Sequence, residues 1–373
     1  MSFPLPIAEP QSLGFDPKPL ARLDALIQAH IAEGRYPGAQ IALARHGKLA
    51  LFKTYGQARI ASPAPARDDT LWLLYSNTKV ITMAALWSLV DEGRLAFTDR
   101  VAEHVPEFAA RGKGNITLMQ VATHQAGYPS AAVNKEAWAD HKQLRQQVCD
   151  FALEWTPGSR VHYHGLSAHW TVAVVIEAVT GQDFRQVIRE RVIAPLGLDK
   201  ELFVGLPASE HSRAADMHQP DGPSPFPPGT ENTPAFREAG IPGGGGYATA
   251  RAMAAFYQMM AHGGRLGSVR LFSPRMIQYV TRNRTGDRVD EFMGMPMHRG
   301  IGPHSRGLTD TIRGLGSLAA PETFGHGGVG TSYCWADPTS GVSFAYITNF
   351  RQPDPWHSAR LDKVCNLVHS AID

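Results

Sequence analysis

Leu71-Trp72-Leu73-Leu74-Tyr75-Ser76-Asn77-Thr78-Lys79, running into the apolar stretch Val80 to Val90, is the segment from which this chain is best read. The first five residues look like a strand, and the run after Lys79 looks like a helix. Residues three apart share a helix face. Ser76 and Lys79 would therefore stand side by side, with Ser76 at the positive end of the helix dipole. A serine hydroxyl is a poor nucleophile until a neighbouring base takes its proton. A lysine serves as that base only where burial or nearby positive charge lowers its pKa. The same four residues would also make a capped helix start with a surface lysine, so the rest of the chain must decide.

Outward from this segment the pattern is mixed. Towards the N-terminus, Pro17 to Glu33 reads as an amphipathic helix with Leu20, Leu23, Leu26, Ile27 and Ile31 on one stripe, started by Asp16. Ala39 to Gly56 alternates around Arg45-His46-Gly47-Lys48 and reads as a β-hairpin. Towards the C-terminus, Val80 to about Gly197 is mostly helical in pattern, clearest over Thr117–Thr123, Ala137–Leu153 and Ala168–Val179. Leu206 to Gly246 is rich in proline and glycine and reads as a long functional loop, densest in turn residues over Pro223–Gly229. The Gly243-Gly244-Gly245-Gly246 run that ends it is expected to supply unusual backbone angles. Ala248 to His262 reads as an amphipathic helix, and a second loop spans about 284–323. Thr331–Ala336 and Val342–Phe350 alternate as strands, and Pro355–Ile372 closes the chain as a helix.

Strands at both ends and helices between predict an α/β (α+β) fold. One antiparallel sheet, built from the N- and C-terminal segments and flanked by helices, would carry a mostly helical insertion. The expected division is 1–75 with 240–373 for the sheet and 76–239 for the helical part, with the site in the cleft between them.

Composition narrows the function. The 373 residues are 43% hydrophobic and 19% charged, as in a globular chain. Net charge is +2 without a basic cluster, which argues against nucleic acid as a partner. The 16 histidines show no HExxH or CxxC spacing, so neither a metal nor a cofactor is expected. Cys149, Cys334 and Cys365 are few, odd in number and widely spaced, which suits buried thiols in a reducing compartment. Residues 1–11 lack a signal-peptide pattern, and no apolar run reaches about 18 residues. A cytoplasmic protein without membrane contact is expected.

A serine–lysine pair needs a second proton-handling group and two N–H donors for an oxyanion. Tyr163, between Pro157-Gly158 and a helix pattern, is the candidate for the first. Phe324-Gly325-His326-Gly327-Gly328-Val329-Gly330-Thr331, entering a strand, is the candidate for the second, with a backbone N–H near Val329 complementing that of Ser76.

Ser76-x-x-Lys79, then Tyr163 after Pro-Gly, then His326-x-Gly328 at a strand, resembles in that order the serine β-lactamase and penicillin-binding protein superfamily. The likeness is nearer to the class C β-lactamase-related esterases, acyltransferases and D-amino peptidases. It extends from about Gly14 to Phe350 and includes Tyr36-Pro37-Gly38-Ala39, Leu118 to Gly127 and Gly243 to Met253. The resemblance implies that Ser76 is the nucleophile of an acyl-enzyme, Lys79 its partner in proton transfer and Tyr163 the general base and acid. It implies that His326, Gly327 and Gly328 form the substrate-binding motif on the sheet edge, and that the oxyanion hole is made by Ser76 and Val329. Tyr75 and His164 are expected at the substrate by proximity, with the loop around Phe226, whereas Trp155 and Trp335 are expected to pack.

Two departures shape the substrate expectation. Tyr163-His164-Gly165 replaces the Tyr-Ser-Asn or Tyr-Ala-Asn usual in these families, with His164 expected to fill the space left by the asparagine. His326 stands where penicillin-recognising relatives have a lysine for a substrate carboxylate. Both favour a small-molecule ester, lactone or unusual amide over a β-lactam. The leading reading is a carboxylesterase-like serine hydrolase. Acyltransferase, amidase or D-aminopeptidase, β-lactamase and, from another class, a non-catalytic binding protein are the alternatives.

Overall fold

Ile41 and Leu43 alternate with Ala42 and Ala44 along β1 (Gly38–Arg45), and the two sets face opposite layers of the molecule. The computed structural model describes residues 3–220, 227, 229–309 and 314–373. From β1 the chain turns through Gly47, at φ +74°, into β2 (Lys48–Arg59) and β3 (Ala64–Pro65). It returns near its other end as β4 (His304–Ser305), β5 (Phe324–Gly328), β6 (Ser332–Asp337) and β7 (Val342–Thr348). These strands make one antiparallel sheet in the order β4-β5-β6-β7-β1-β2-β3. The chain ends meet where β1 pairs β7, with Ile41 opposite Tyr346 and Leu43 opposite Phe344. The fold is therefore the α/β arrangement that the strand patterns at both termini predict.

The principal helices are α1 (Pro17–Ala32), α2 (Thr78–Asp91), α3 (Ser167–Thr180), α4 (Ala250–Ala261) and α5 (Trp356–His369). Helices α1 and α5 cover the large-residue face of the sheet, where Leu23, Ile27, Leu361 and Val364 meet Ile41, Trp335 and Phe344. The opposite face is lined by small residues, Ala42, Ala44, Ala336 and Ala345, so α4 packs close against it. Gln258 of α4 fastens this contact: its amide donates to the carbonyls of Ala44 (3.1 Å) and Gly341 (3.0 Å) and accepts from Gly47 N at 2.8 Å. The amphipathic helix expected over 248–262 is present, and it is buried continuously from Ala252 to Met260.

Other expectations shift for local reasons. The helix expected over 137–153 covers only His141–Cys149, since the Asp140 carboxylate caps it, accepting from Lys142 N and Gln143 N at 3.0 Å each. The long loop after Leu206 contains the helix Pro234–Ala239, which begins with a Thr233 cap and a proline. Of the turn-rich stretch expected over 223–229, only residues 227 and 229 lie among those described; Phe226 does not. The second loop carries a small hairpin, Val289–Asp290 with Met295–Pro296. No helix among the described residues is long and apolar enough to cross a membrane.

Candidate active site

The lead expected as a strand over 71–75 is one only at Trp72–Leu73, which pairs with Tyr247 and Ala248. The chain then makes a 3-10 turn, Tyr75–Asn77, before α2. Tyr75 is held at φ +44°, a region that non-glycine residues rarely occupy. Such strain persists only where the surroundings over-determine it and is concentrated at functional sites. The surroundings here are explicit. The Tyr75 phenol is buried and donates to Glu231 Oε1 at 2.9 Å, and Leu74 N donates to Gly246 O at 2.8 Å. Tyr75, expected at the substrate, thus spends its hydroxyl on Glu231, and the turn it opens carries Ser76.

Ser76 is part-exposed among buried neighbours. Its Oγ lies 3.1 Å from Lys79 Nζ, and the Tyr163 hydroxyl donates to it at 2.8 Å. The i, i+3 spacing and a tyrosine 87 residues away in the chain therefore converge on one oxygen. Helix α2 is buried on every side from Thr78 to Leu89, so Lys79 is fully enclosed. It donates to the carbonyl oxygens of Gly165 and Gly243 at 2.6 Å each. Loss of solvent, and then the Arg299 guanidinium, hold its amine well below the usual lysine range. Burial pushes the Tyr163 phenol up to about 12, against the Ser76 hydrogen bond and Arg299, which lower it.

The glycines act through close approach. None of Gly243 to Gly246 has a positive φ, contrary to the expectation of unusual angles. A Cβ on Gly246 would instead lie 2.7 Å from Thr78 Oγ1, and one on Gly245 would lie 2.4 Å from Ile241 N. This lets the Gly243 carbonyl reach Lys79. On the sheet side, β4 pairs only with Phe324 and Gly325, which leaves the outer edge of His326 to Gly328 facing the Ser76 turn. Asn77 joins the two. With its amide oriented to satisfy both ends, it donates to His326 O and accepts from Gly328 N at 3.3 Å and from Ser332 Oγ at 2.9 Å. A Cβ on Gly328 would sit 2.6 Å from Leu74 O. Val329, half exposed, follows at the hairpin turn.

His326 and His164 differ in what they face. His326 places its ring 6.3 Å from that of Tyr163, and its Nδ1 lies 2.8 Å from Gly327 O. Burial, with the nearby Lys79 and Arg299, keeps it well below the usual histidine range. His164, expected to fill the space beside Gly165 and meet substrate, does not. Its Nε2 accepts from Tyr128 N at 3.1 Å, its Nδ1 lies 2.7 Å from His162 O, and burial lowers its pKa to about 4. A Cβ on Gly165 would have nothing within 4 Å, so that space is open. Trp335 packs in the core, as expected, while Trp155 is half-buried against His162.

Three further residues at the site were not singled out from the sequence, although His124 lies in the Leu118–Gly127 stretch that carries the family likeness. His124, at φ +60°, accepts from His164 N at Nδ1 and from His162 N at its carbonyl, 3.1 Å each, and so clamps the Tyr163 loop. Asp290 and Arg299 form a buried ion pair at 2.7 Å beneath Tyr163. Asp290 Oδ1 accepts from Tyr163 N at 3.1 Å, and Arg299 Cζ lies 4.7 Å from the Tyr163 ring centre. The signals available were an Asp and an Arg in a stretch read as loop.

Potential metal donors lie elsewhere. Asp99, Glu103 and His104 form one group and His141, Glu177 and Asp183 another. Their donors already engage one another or an arginine: His104 with Asp99, Glu103 with Arg100, His141 with Glu177, and Asp183 with Arg185.

The beta-lactamase family model matches residues 23–364. Over 342 residues the chain is 28% identical to the esterase/beta-lactamase LipL of Mycobacterium tuberculosis, covering 84% of this chain and 77% of that one. A penicillin-binding protein homologue from Caulobacter crescentus superposes with a TM-score of 0.83 at 29% identity, covering 96% of this chain and 99% of the other. A family VIII carboxylesterase superposes with a TM-score of 0.82 at 29% identity, covering 94% and 97%.

Proposed function

This chain belongs to the beta-lactamase family and is a serine hydrolase, and we propose that it cleaves small carboxylic esters or lactones through an acyl-enzyme on Ser76. The observation that carries this reading is Ser76 Oγ held 3.1 Å from Lys79 Nζ and 2.8 Å from the Tyr163 hydroxyl.

The hydrogen bonds suggest an order for the protons. A neutral lysine has two N–H groups and one lone pair. The carbonyls of Gly165 and Gly243 take the N–H groups, so the lone pair faces Ser76 Oγ. Lys79 is then the first base. Ser76 attacks the ester carbonyl carbon as its proton passes to Lys79. The oxyanion is met by Ser76 N, at the start of the helical segment, and by Val329 N. As the ester C–O bond breaks, Tyr163, still protonated, gives its proton to the departing alkoxide and is replenished from Lys79. Water then attacks the acyl carbon and releases Ser76, so ester and water become acid and alcohol. An incoming alcohol in place of that water would make the same site an acyltransferase, and the two differ only in the relative rates of deacylation.

The preference for esters over β-lactams is supported by the uncharged, buried His326 and the open space beside Gly165. It is also supported by the likeness to the family VIII carboxylesterase. The test is a fluorophosphonate label read by intact mass, with a panel of acetyl to octanoyl esters, lactones, D-amino amides and a chromogenic β-lactam. Wild type should gain one adduct, Ser76→Ala none, and short esters should turn over fastest. An adduct surviving in Ser76→Ala, or fast β-lactam turnover with negligible ester cleavage, would overturn the proposal.

A further inference from the structure

We propose that the buried Asp290–Arg299 pair positions Tyr163, and that the Arg299 guanidinium is the fixed positive charge that readies the Tyr163 phenol to give up its proton. This rests on the reading of Ser76, Lys79 and Tyr163 given above. The two charges divide the work. One carboxylate oxygen of Asp290, Oδ2, is taken by Arg299 at 3.1 Å from Nε and 2.7 Å from Nη2. The other, Oδ1, accepts the backbone N–H of Tyr163 at 3.1 Å, of Phe292 at 3.1 Å and of Met293 at 3.3 Å. A β-bridge between Val161 and Asp290, and a bond from Glu291 N to Val161 O at 2.9 Å, lash the same two segments together. The tyrosine backbone is thus anchored to the pair by its amide, and its ring is covered by the pair's cation at 4.7 Å.

A buried ion pair loses in desolvation much of what it gains in attraction, so packing alone would be served as well by apolar residues. The placement explains why charges are useful here. When Tyr163 protonates a leaving group, its ring becomes a phenolate, and a cation over the ring face stabilises that state. The same guanidinium disfavours a charged Lys79, which keeps the lysine a base. Few other charges compete. The titratable rings facing Lys79 and Tyr163 are His124, His164, His169 and His326, with His304 beside Arg299, and burial lowers all five. His298, behind Arg299, is engaged with Asp287 at 3.1 Å. Arg299 supplies the permanent charge, and Asp290 aims it.

The test is the pH profile of kcat/KM for an alkyl ester in wild type, Arg299→Lys and the paired variant Arg299→Met/Asp290→Asn, which leaves no charge buried alone. Loss of the cation lets the Lys79 and Tyr163 amine and phenol pKa values both rise. In the paired variant the loss of Asp290, which raises the Tyr163 phenol less than Arg299 lowers it, offsets part of that rise, so the acidic and basic limbs should both move to higher pH by about half a unit. Arg299→Lys keeps the charge and should keep the limbs in place while losing rate, because a lysine cannot hold Asp290 through two nitrogens. If the paired variant does not fold, Arg299→Gln replaces it. There the unpaired Asp290 should push the limbs further in the same direction. Limbs that stay at their wild-type positions in a folded variant without the cation, Arg299→Met/Asp290→Asn or Arg299→Gln, with only kcat reduced, would make the pair structural and overturn the proposal. Phosphonate labelling separates the two readings. Ser76 should still be labelled in every Arg299 variant, whereas labelling that persists in Ser76→Ala would bring down the active-site reading itself.

Discussion

Tyr163→Phe removes one oxygen and nothing else from the site. The ring keeps its cover, with Lys79 Nζ at 5.0 Å, Arg299 Cζ at 4.7 Å and the backbone N–H on Asp290, so the fold should be untouched. What is lost is the donor 2.8 Å from Ser76 Oγ, which the mechanism uses to protonate the leaving group. General-acid catalysis contributes about 10²–10⁴-fold. At about 1.36 kcal/mol per tenfold this is about 2.7–5.4 kcal/mol of transition-state stabilisation. The loss should depend on the alcohol. An alkoxide cannot leave without a proton, whereas 4-nitrophenolate needs little help. Acylation is therefore best read as kcat/KM for ethyl acetate against 4-nitrophenyl acetate, which share one acyl-enzyme and one deacylation step. The variant should lose the full 10²–10⁴ on the ethyl ester and about tenfold or less on the nitrophenyl ester. Equal losses on both would refute the acid role and leave Tyr163 as a positioning group for Ser76.

Gly165→Asn should fold normally, because its Cβ meets nothing within 4 Å, and should fill the open space beside Lys79. Branched or long acyl esters should then lose about tenfold or more relative to acetate, a change measured as a ratio of kcat/KM values. Gly328→Ala would put a Cβ 2.5 Å from Ser332 Oγ and 2.6 Å from Leu74 O, forcing β5 away from the Ser76 turn. With Val329 N displaced from the oxyanion, kcat should fall about 10²–10³-fold, and steady-state kinetics at wild-type rates would remove Val329 from the proposed oxyanion hole. Stability should fall in mild acid. Burial holds His124, His169, His304 and His326 well below the usual histidine range and His164 at about 4. Unfolded, each protonates near about 6.5, so below that pH the unfolded chain binds more protons and gains on the fold. Tm should be steady above about pH 7 and drop from there to pH 5; a flat Tm over that interval would show that these rings are not held neutral.

The parts of the site that follow from local rules were legible in the chain. The Ser76–Lys79 juxtaposition needs only a helix, and the β1–β2 hairpin needs only alternation about His46-Gly47. The strands near both ends carried their pattern within a few residues each, so the single sheet could be inferred. Tyr163 and the His326 glycines were legible because their order along the chain matches a known constellation. The misses have a common cause. His164 looked like a substrate residue because it adjoins Tyr163, but adjacent side chains at a turn need not face the same way, and its ring went to Tyr128 N. The Tyr75 hydroxyl likewise went to Glu231, which nothing near Tyr75 in the sequence announces.

By itself, then, the sequence determined which residues could do the chemistry and which sheet would carry them, since spacing along one helix or strand is a short-range property. Whether Lys79 can act as the proposed base was decided by tertiary structure alone. Its character comes from burial on all sides of α2, from two backbone carbonyls contributed by Gly165 and Gly243, and from a guanidinium at Arg299. Desolvation and charge act through space and sum over every neighbour. Carbonyl acceptors leave no trace in residue identity. The proposed nucleophile could be read from four letters, but the reason it would be reactive is written across four distant segments that only folding brings together.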